Sequence, residues 1–245
     1  MEKGPALERT QTFLVLSIVV TVVLYLVPYG RTIGYPLVLL STLAHEMGHG
    51  IAAIFIGGHF DEFRMWSDGS GVARWLGSDV GRFGRAFVAA GGLVGPAVAA
   101  AVGFWLARSE RRARAGLWVF GVGLLVALVL VVRGVFGMFF VSAFAVLCIF
   151  LAAKAKPWLG QVTVVFIAVQ MALSVFSRGD YLFTDKAQTS AGLMPSDVAQ
   201  MAEALWLPYW FWGALCGAVS VVVILVGLRA FFKGTQKKAA APAGV

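Results

Sequence analysis

The sequence predicts an all-α, polytopic membrane protein of about six to seven transmembrane helices that carries one small β-hairpin. Three observations predict it. Of 245 residues, 60% are apolar and only 13% charged, against roughly 45–50% and 25% in soluble domains. Mean hydropathy is +0.85. The apolar residues also gather into runs close to the roughly 20 residues that cross a bilayer as a helix. A water-soluble globule, a disordered chain and a fibre are thereby excluded. The 20 Lys+Arg against 12 Asp+Glu give a net charge of +8. Those positives lie between apolar runs, where they orient helices in a membrane, so a lipid bilayer and not nucleic acid is the expected partner. Cys148 and Cys216 sit inside apolar runs, and a disulfide framework is not expected.

The first candidate span, Gln11 to Tyr29, follows Lys3 and Arg9. Its apolar core exceeds the ~7–15 residues of a signal-peptide core and no small-x-small cleavage site follows, so it reads as a span. The second runs from Tyr35 to Gly57. After it, Gly58 to Arg85 is not membrane-like. Aromatic and β-favouring residues there flank Asp68-Gly69, which predicts a hairpin. That hairpin either offers an edge strand to a substrate or anchors Phe60, Phe63, Trp66 and Trp75 at the membrane interface. Ala86 to Ala107 is the third span. The fourth and fifth, Gly116 to Val132 and Val135 to Ala153, are separated only by Arg133-Gly134. Together they are too long for one crossing at about 1.5 Å per residue, so a tight helical hairpin is predicted. Trp158 to Phe176 is the sixth. The stretch 177–208 is polar and holds Asp180, Asp185, Asp197 and Glu203. Tyr209 to Phe232 closes a single membrane domain spanning 1–232, and the basic tail 233–245 is expected to be disordered. The balance of positive charge between loops places the C-terminus in the cytoplasm, and the cell membrane is the expected location.

Within the second span stands His45-Glu46-Met47-Gly48-His49, an H-E-x-x-H. Residues four apart share a helix face, with Cβ atoms about 5–6 Å apart. Both imidazoles can therefore reach one Zn²⁺, and Glu46, about 100° round the helix, falls beside the metal as a general acid/base. A carboxylate deep in an apolar helix costs several kcal/mol unless paired or functional. The blander reading is a polar cluster that holds helices together. Gly48 and Gly50 clear side chains from this region, so a neighbouring helix or a substrate backbone can come close; Ala89 to Pro96 in the third span supplies such a neighbour. His59, past Gly57-Gly58, lies off the zinc face and reads as a polar residue at the membrane edge.

These features resemble the M50 metallopeptidases, the site-2-protease-like intramembrane zinc proteases. The similarity rests on the H-E-x-x-H in an early span, on Gly57-Gly58, on the hairpin with Gly69 and Gly71, and on the Gly/Pro-containing helix. Ser196-Asp197 followed by the Trp-rich start of the last span, Trp206 to Trp212, resembles the M50B-like subgroup. The resemblance implies a zinc endopeptidase that cleaves membrane-embedded or membrane-adjacent peptides, its site sunk in the bilayer. The better-studied branch carries N-x-x-P-x-x-x-L-D-G, whose Asp is a zinc ligand; this chain has no Asn and no L-D-G.

A catalytic zinc keeps three protein ligands and an open position. Glu2, Glu8 and Glu110 lie at the terminus or in a charged loop, and the hairpin acids stand too close in sequence to fold onto the same face. Asp197 is the chosen third ligand, with Asp180 the alternative. Against that choice stands an N-cap role for Asp197, with Gln200 completing a capping box. Three functions compete: the active zinc endopeptidase, a retired protease fold that binds or chaperones membrane clients, and a transporter using His45 and Glu46 as a relay.

Overall fold

The structure, a computed structural model, describes residues 5–77, 80–177 and 182–239. Helix α1 (Pro5–Leu26) leads through a short α2 (Gly30–Ile33) into α3 (Tyr35–Phe55), whose first turn carries Pro36. A proline is tolerated there because the N–H it lacks has no helical partner. Gly57 stops α3 in the left-handed region at φ 79°. The Gly58 N–H then bonds back to the Ala53 carbonyl at 2.8 Å, closing the last turn.

The predicted hairpin follows as β1 (His59–Met65) and β2 (Gly71–Leu76), antiparallel, with Gly69 at φ 86° in the turn. The turn runs back alongside α3: Thr42 Oγ1 donates to the Gly69 carbonyl at 2.7 Å and Tyr35 Oη to the Ser67 carbonyl at 2.6 Å. Phe63 is fully buried, and Phe60 lies nearly buried against Gly50. Both belong to the core, so the interface-anchor reading is corrected for these two.

Helix α4 (Gly81–Leu106) starts ahead of the expected Ala86 and packs on α3 and on the later helices described next. Helix α5 (Glu110–Leu130) also starts early, because Ser109 caps it by accepting the Arg112 N–H at 3.3 Å. The predicted tight corner follows. Gly134, at φ 85°, turns the chain, and Arg133 donates to the carbonyls of Leu130 and Val132 at 2.7 and 2.9 Å. Val132–Arg133 is also a strand, β3, parallel to β1 at Phe63 and Arg64. The sheet order is therefore β2-β1-β3.

Helices α6 (Val135–Lys154) and α7 (Pro157–Ser177) complete the middle of the chain. The region expected as a polar loop is more ordered than anticipated. It holds a second hairpin, β4 (Lys186–Thr189) with β5 (Gly192–Pro195), then α8 (Asp197–Leu205). Helix α9 (Tyr209–Ala239) runs past Phe232, where the sequence placed the end of the last span. Among the described residues six helices, α3 to α7 and α9, are long and apolar enough to cross a membrane, while the apolar part of α1 is Gln11–Leu24. The protein is a multi-pass membrane protein with α4 at its centre, against α3, α7, α8 and α9.

Candidate metal centre

Helix α3 presents His45 and His49 on one face, as the spacing requires. The third group comes from far along the chain. Asp197 opens α8, and its carboxylate lies between the two rings: His45 Nε2 is 3.0 Å from Oδ2, and His49 Nε2 is 3.4 Å from Oδ1. The two Nε2 atoms are 3.2 Å apart. His45, His49 and Asp197 form the one group able to hold a metal ion among the described residues.

Three features fit this set to a metal. A tetrahedral ion with bonds of ~2.0–2.1 Å separates its ligands by about 3.3 Å, close to the spacings seen. Asp197 is only 6% exposed, and its Oδ2, although near His45, accepts no well-aligned hydrogen bond among the described residues. A buried carboxylate oxygen left so is costly, and a cation between it and the histidines removes that cost. Last, His49 Nδ1 donates to the Val88 carbonyl of α4 at 2.8 Å. That bond fixes the neutral ring as the Nδ1–H tautomer, so the Nε2 lone pair faces the site.

Helix packing makes this possible. A Cβ at Gly48 would meet the Gly91 carbonyl oxygen at 2.2 Å, and one at Gly92 would lie 2.2 Å from His49 Cε1 and Nε2. The small residues of α3 and α4 thus let the helices approach until Val88 reaches His49. This is the close neighbour that the Ala89–Pro96 run was expected to supply. Gly50 serves a different end, making room for the Phe60 ring.

Glu46 is 6% exposed and lies beneath the start of β2: a methyl at Gly71 would stand 2.9 Å from its Cγ. With His45, His49 and Asp197 it lines a cleft of about 80 Å³. Gly71, Val72, Ala73 and Trp75 of β2 form one wall, and Thr189, Met194 and Pro195 of the second hairpin face them. Among the described strands none pairs with the outer edge of β2. The second hairpin is tied to the first, since Ser190 Oγ donates to Asp68 Oδ2 at 2.7 Å and the Ser190 N–H to Ser70 Oγ at 3.2 Å.

Of the sequence candidates, the fold brings together His45, Glu46, His49 and Asp197. His59 stands exposed where β1 begins, outside this group. Asp180 lies outside the described residues. The alternative role for Asp197 is corrected: the N-cap of α8 is Ser196, whose Oγ accepts the Ala199 N–H at 3.2 Å, and Gln200 Nε2 reaches the Pro195 carbonyl at 3.4 Å. Sequence reasoning missed the Val88 carbonyl and the β4–β5 wall. A backbone acceptor leaves no side-chain signature, and the strands are four residues each, β4 reading KAQT and β5 carrying Gly and Pro, with no apolar alternation.

The fold and site define a polytopic membrane protein with an H-E-x-x-H helix and an aspartate from a later helix converging on one buried cleft. The sequence model of the Peptidase M50B-like family matches residues 15–227, and the chain belongs to that family. Neither the curated proteins nor the solved structures yield a match.

Proposed function

We propose that the protein is a zinc-dependent intramembrane endopeptidase that hydrolyses peptide bonds of membrane-embedded or membrane-adjacent substrates. The observation that carries this reading is the arrival of Asp197 between His45 and His49, with Glu46 buried alongside in the same cleft. Two histidines and a carboxylate suit Zn²⁺, which leaves a fourth position open when held by three protein ligands. When bound, zinc supplies Lewis acidity toward the scissile carbonyl and toward water.

The chain's own residues supply the rest. Glu46 takes the proton of the attacking water and returns it to the leaving amine, the role a buried carboxylate beside the reacting atoms can fill. Val88, through His49, holds a ligand ring in its tautomer. A substrate helix must unwind before its backbone can be attacked. The outer edge of β2, along the cleft wall, offers N–H and C=O groups that can pair with the extended segment. A retired fold would keep clients without cutting them, and the two differ in one experiment.

That experiment uses wild-type protein and Glu46→Gln, each loaded with zinc and incubated with a membrane-spanning peptide. Wild type is expected to cleave, and Glu46→Gln to lose about 10²–10⁴-fold in rate while its metal content is unchanged. Binding without cleavage by wild type would instead establish the retired fold.

A further inference from the structure

Beside the metal cleft lies a second cavity, of about 90 Å³, and Glu46 and His45 line both. Its floor is α3 one turn before the motif. Ser41 and Thr42 precede His45 and Glu46 by four residues and so share their faces of the helix. Leu93 and Pro96 of α4, Ser174 of α7 and Thr189 of β4 wall it. A group that fills this cavity sits directly beside a peptide bond held next to Glu46.

Three hydroxyls of the wall are committed to backbone carbonyls. Thr42 Oγ1 donates to Gly69, Ser174 Oγ to Met171 at 2.8 Å, and Thr189 Oγ1 to Gly192 at 3.1 Å. Ser41 differs. It is 3% exposed, and its Oγ has no hydrogen-bond partner among the described residues. A serine or threonine within a helix commonly donates to the carbonyl one turn back. Ser17, Thr21, Ser142 and Thr163 of this chain all do so, at 2.6–2.9 Å. A buried hydroxyl left unpaired destabilises a protein, so the exception asks for a partner from outside.

We propose that this cavity is the pocket for the side chain of the substrate residue adjoining the scissile bond, and that Ser41 selects a small hydroxyl side chain there, serine or threonine. The proposal rests on the peptidase reading above. Serine and threonine carry their hydroxyl on the first side-chain carbon, close to the backbone held next to Glu46. A hydroxyl both donates and accepts, so it pairs with Ser41 Oγ in either direction. An aliphatic side chain of the same size leaves Ser41 unpaired.

The test uses zinc-loaded Glu46→Gln protein in detergent, so that binding is read without turnover. The probes are peptides about 20 residues long, enough to span a bilayer, Leu/Ala-based with lysine-capped ends. Their central residue is Ser, Thr, Ala or Leu. The Ser and Thr peptides are expected to bind about fivefold more tightly than the Ala and Leu peptides, the yield of one net hydrogen bond. Adding Ser41→Ala should erase that preference, and Ser41→Leu, which fills the cavity, should weaken binding of the Ser and Thr peptides further. Retained zinc in each variant verifies that α3 and α8 are still assembled. Equal affinity for all four peptides, no binding of any, or a preference that survives both Ser41 variants would overturn the pocket. The same peptides offered to wild type separate the two readings. A hydroxyl preference in binding without cleavage keeps the pocket and overturns the peptidase, whereas cleavage without preference overturns the pocket alone.

Discussion

Ser196 accepts the Ala199 N–H, which leaves the Asp197 carboxylate, one position on, without a capping duty and turned toward His45 and His49. The two neighbours therefore predict different losses. Ser196→Ala should cost the helix about 0.5–2 kcal/mol of capping and keep the metal. Asp197→Ala should weaken zinc binding by more than the roughly 10–100-fold that losing an outer partner of a ligand costs. Metal analysis of the two purified variants checks this. Stoichiometric zinc in Asp197→Ala would return the third-ligand role to Asp180 or another group. The histidine pair and Glu46 were legible in the sequence because their relation is local, fixed by 3.6 residues per turn. The choice of Asp197 was made by elimination among the acids; its distance to the histidines is tertiary.

Two contacts between elements carry predictions of their own. Where α3 crosses α4, a methyl at residue 92 collides with the His49 ring, and α4 cannot retreat without breaking the Gly48–Gly91 approach. Gly92→Ala should thus lower both zinc affinity and peptidase rate, while Gly123→Ala, at a position open on all sides within 4 Å, should leave them at wild-type values. Isothermal titration with zinc and a cleavage assay measure both. The second contact joins the two hairpins through Asp68. Hydrogen bonds from Ser70, and then from Ser190, hold its carboxyl below the usual carboxylate range. A carboxyl lowered in the folded state binds its proton more weakly there than in the unfolded chain. The hairpin contact is therefore at full strength above the usual carboxylate range and is lost as pH falls through the lowered value. Protection factors for hydrogen exchange at residues 186–195, which divide out the intrinsic pH dependence of exchange, should be high at neutral pH and fall in strong acid. In Asp68→Asn they should be lower at neutral pH and flat across that range. The first hairpin was legible from its turn residues. The second was not, because its strands are short and carry no alternating pattern.

On the scale of the molecule, the metal set joins α3 to α8, both of which pack on α4. An ion bound there ties the early part of the chain to its last third. It should stabilise the folded protein by about 2.7 kcal/mol at a hundredfold excess over its Kd. Chelation of the wild-type protein in detergent should lower its melting temperature, followed by tryptophan fluorescence, and Asp197→Ala should melt at the same temperature with and without chelator. An equal drop in both would place the stabilising ion elsewhere.

The sequence by itself determined the membrane class, the approximate positions of six of the spans, the helical corner at Arg133-Gly134 and the H-E-x-x-H face. Each follows from composition, from run length against bilayer thickness, or from helical periodicity, all properties of residues near one another in the chain. Tertiary structure alone decided that the first hairpin folds back along α3, so that Gly71 covers Glu46. It alone decided that Val132–Arg133 extends the sheet, and that Val88 orients His49. It also set Asp197 between the rings while its neighbour Ser196 took the cap. These depend on backbone carbonyls, on the space freed by a missing Cβ and on the meeting of segments distant in sequence. None of those leaves a periodic mark on the chain, because packing in three dimensions, and not residue order, brings the partners within reach.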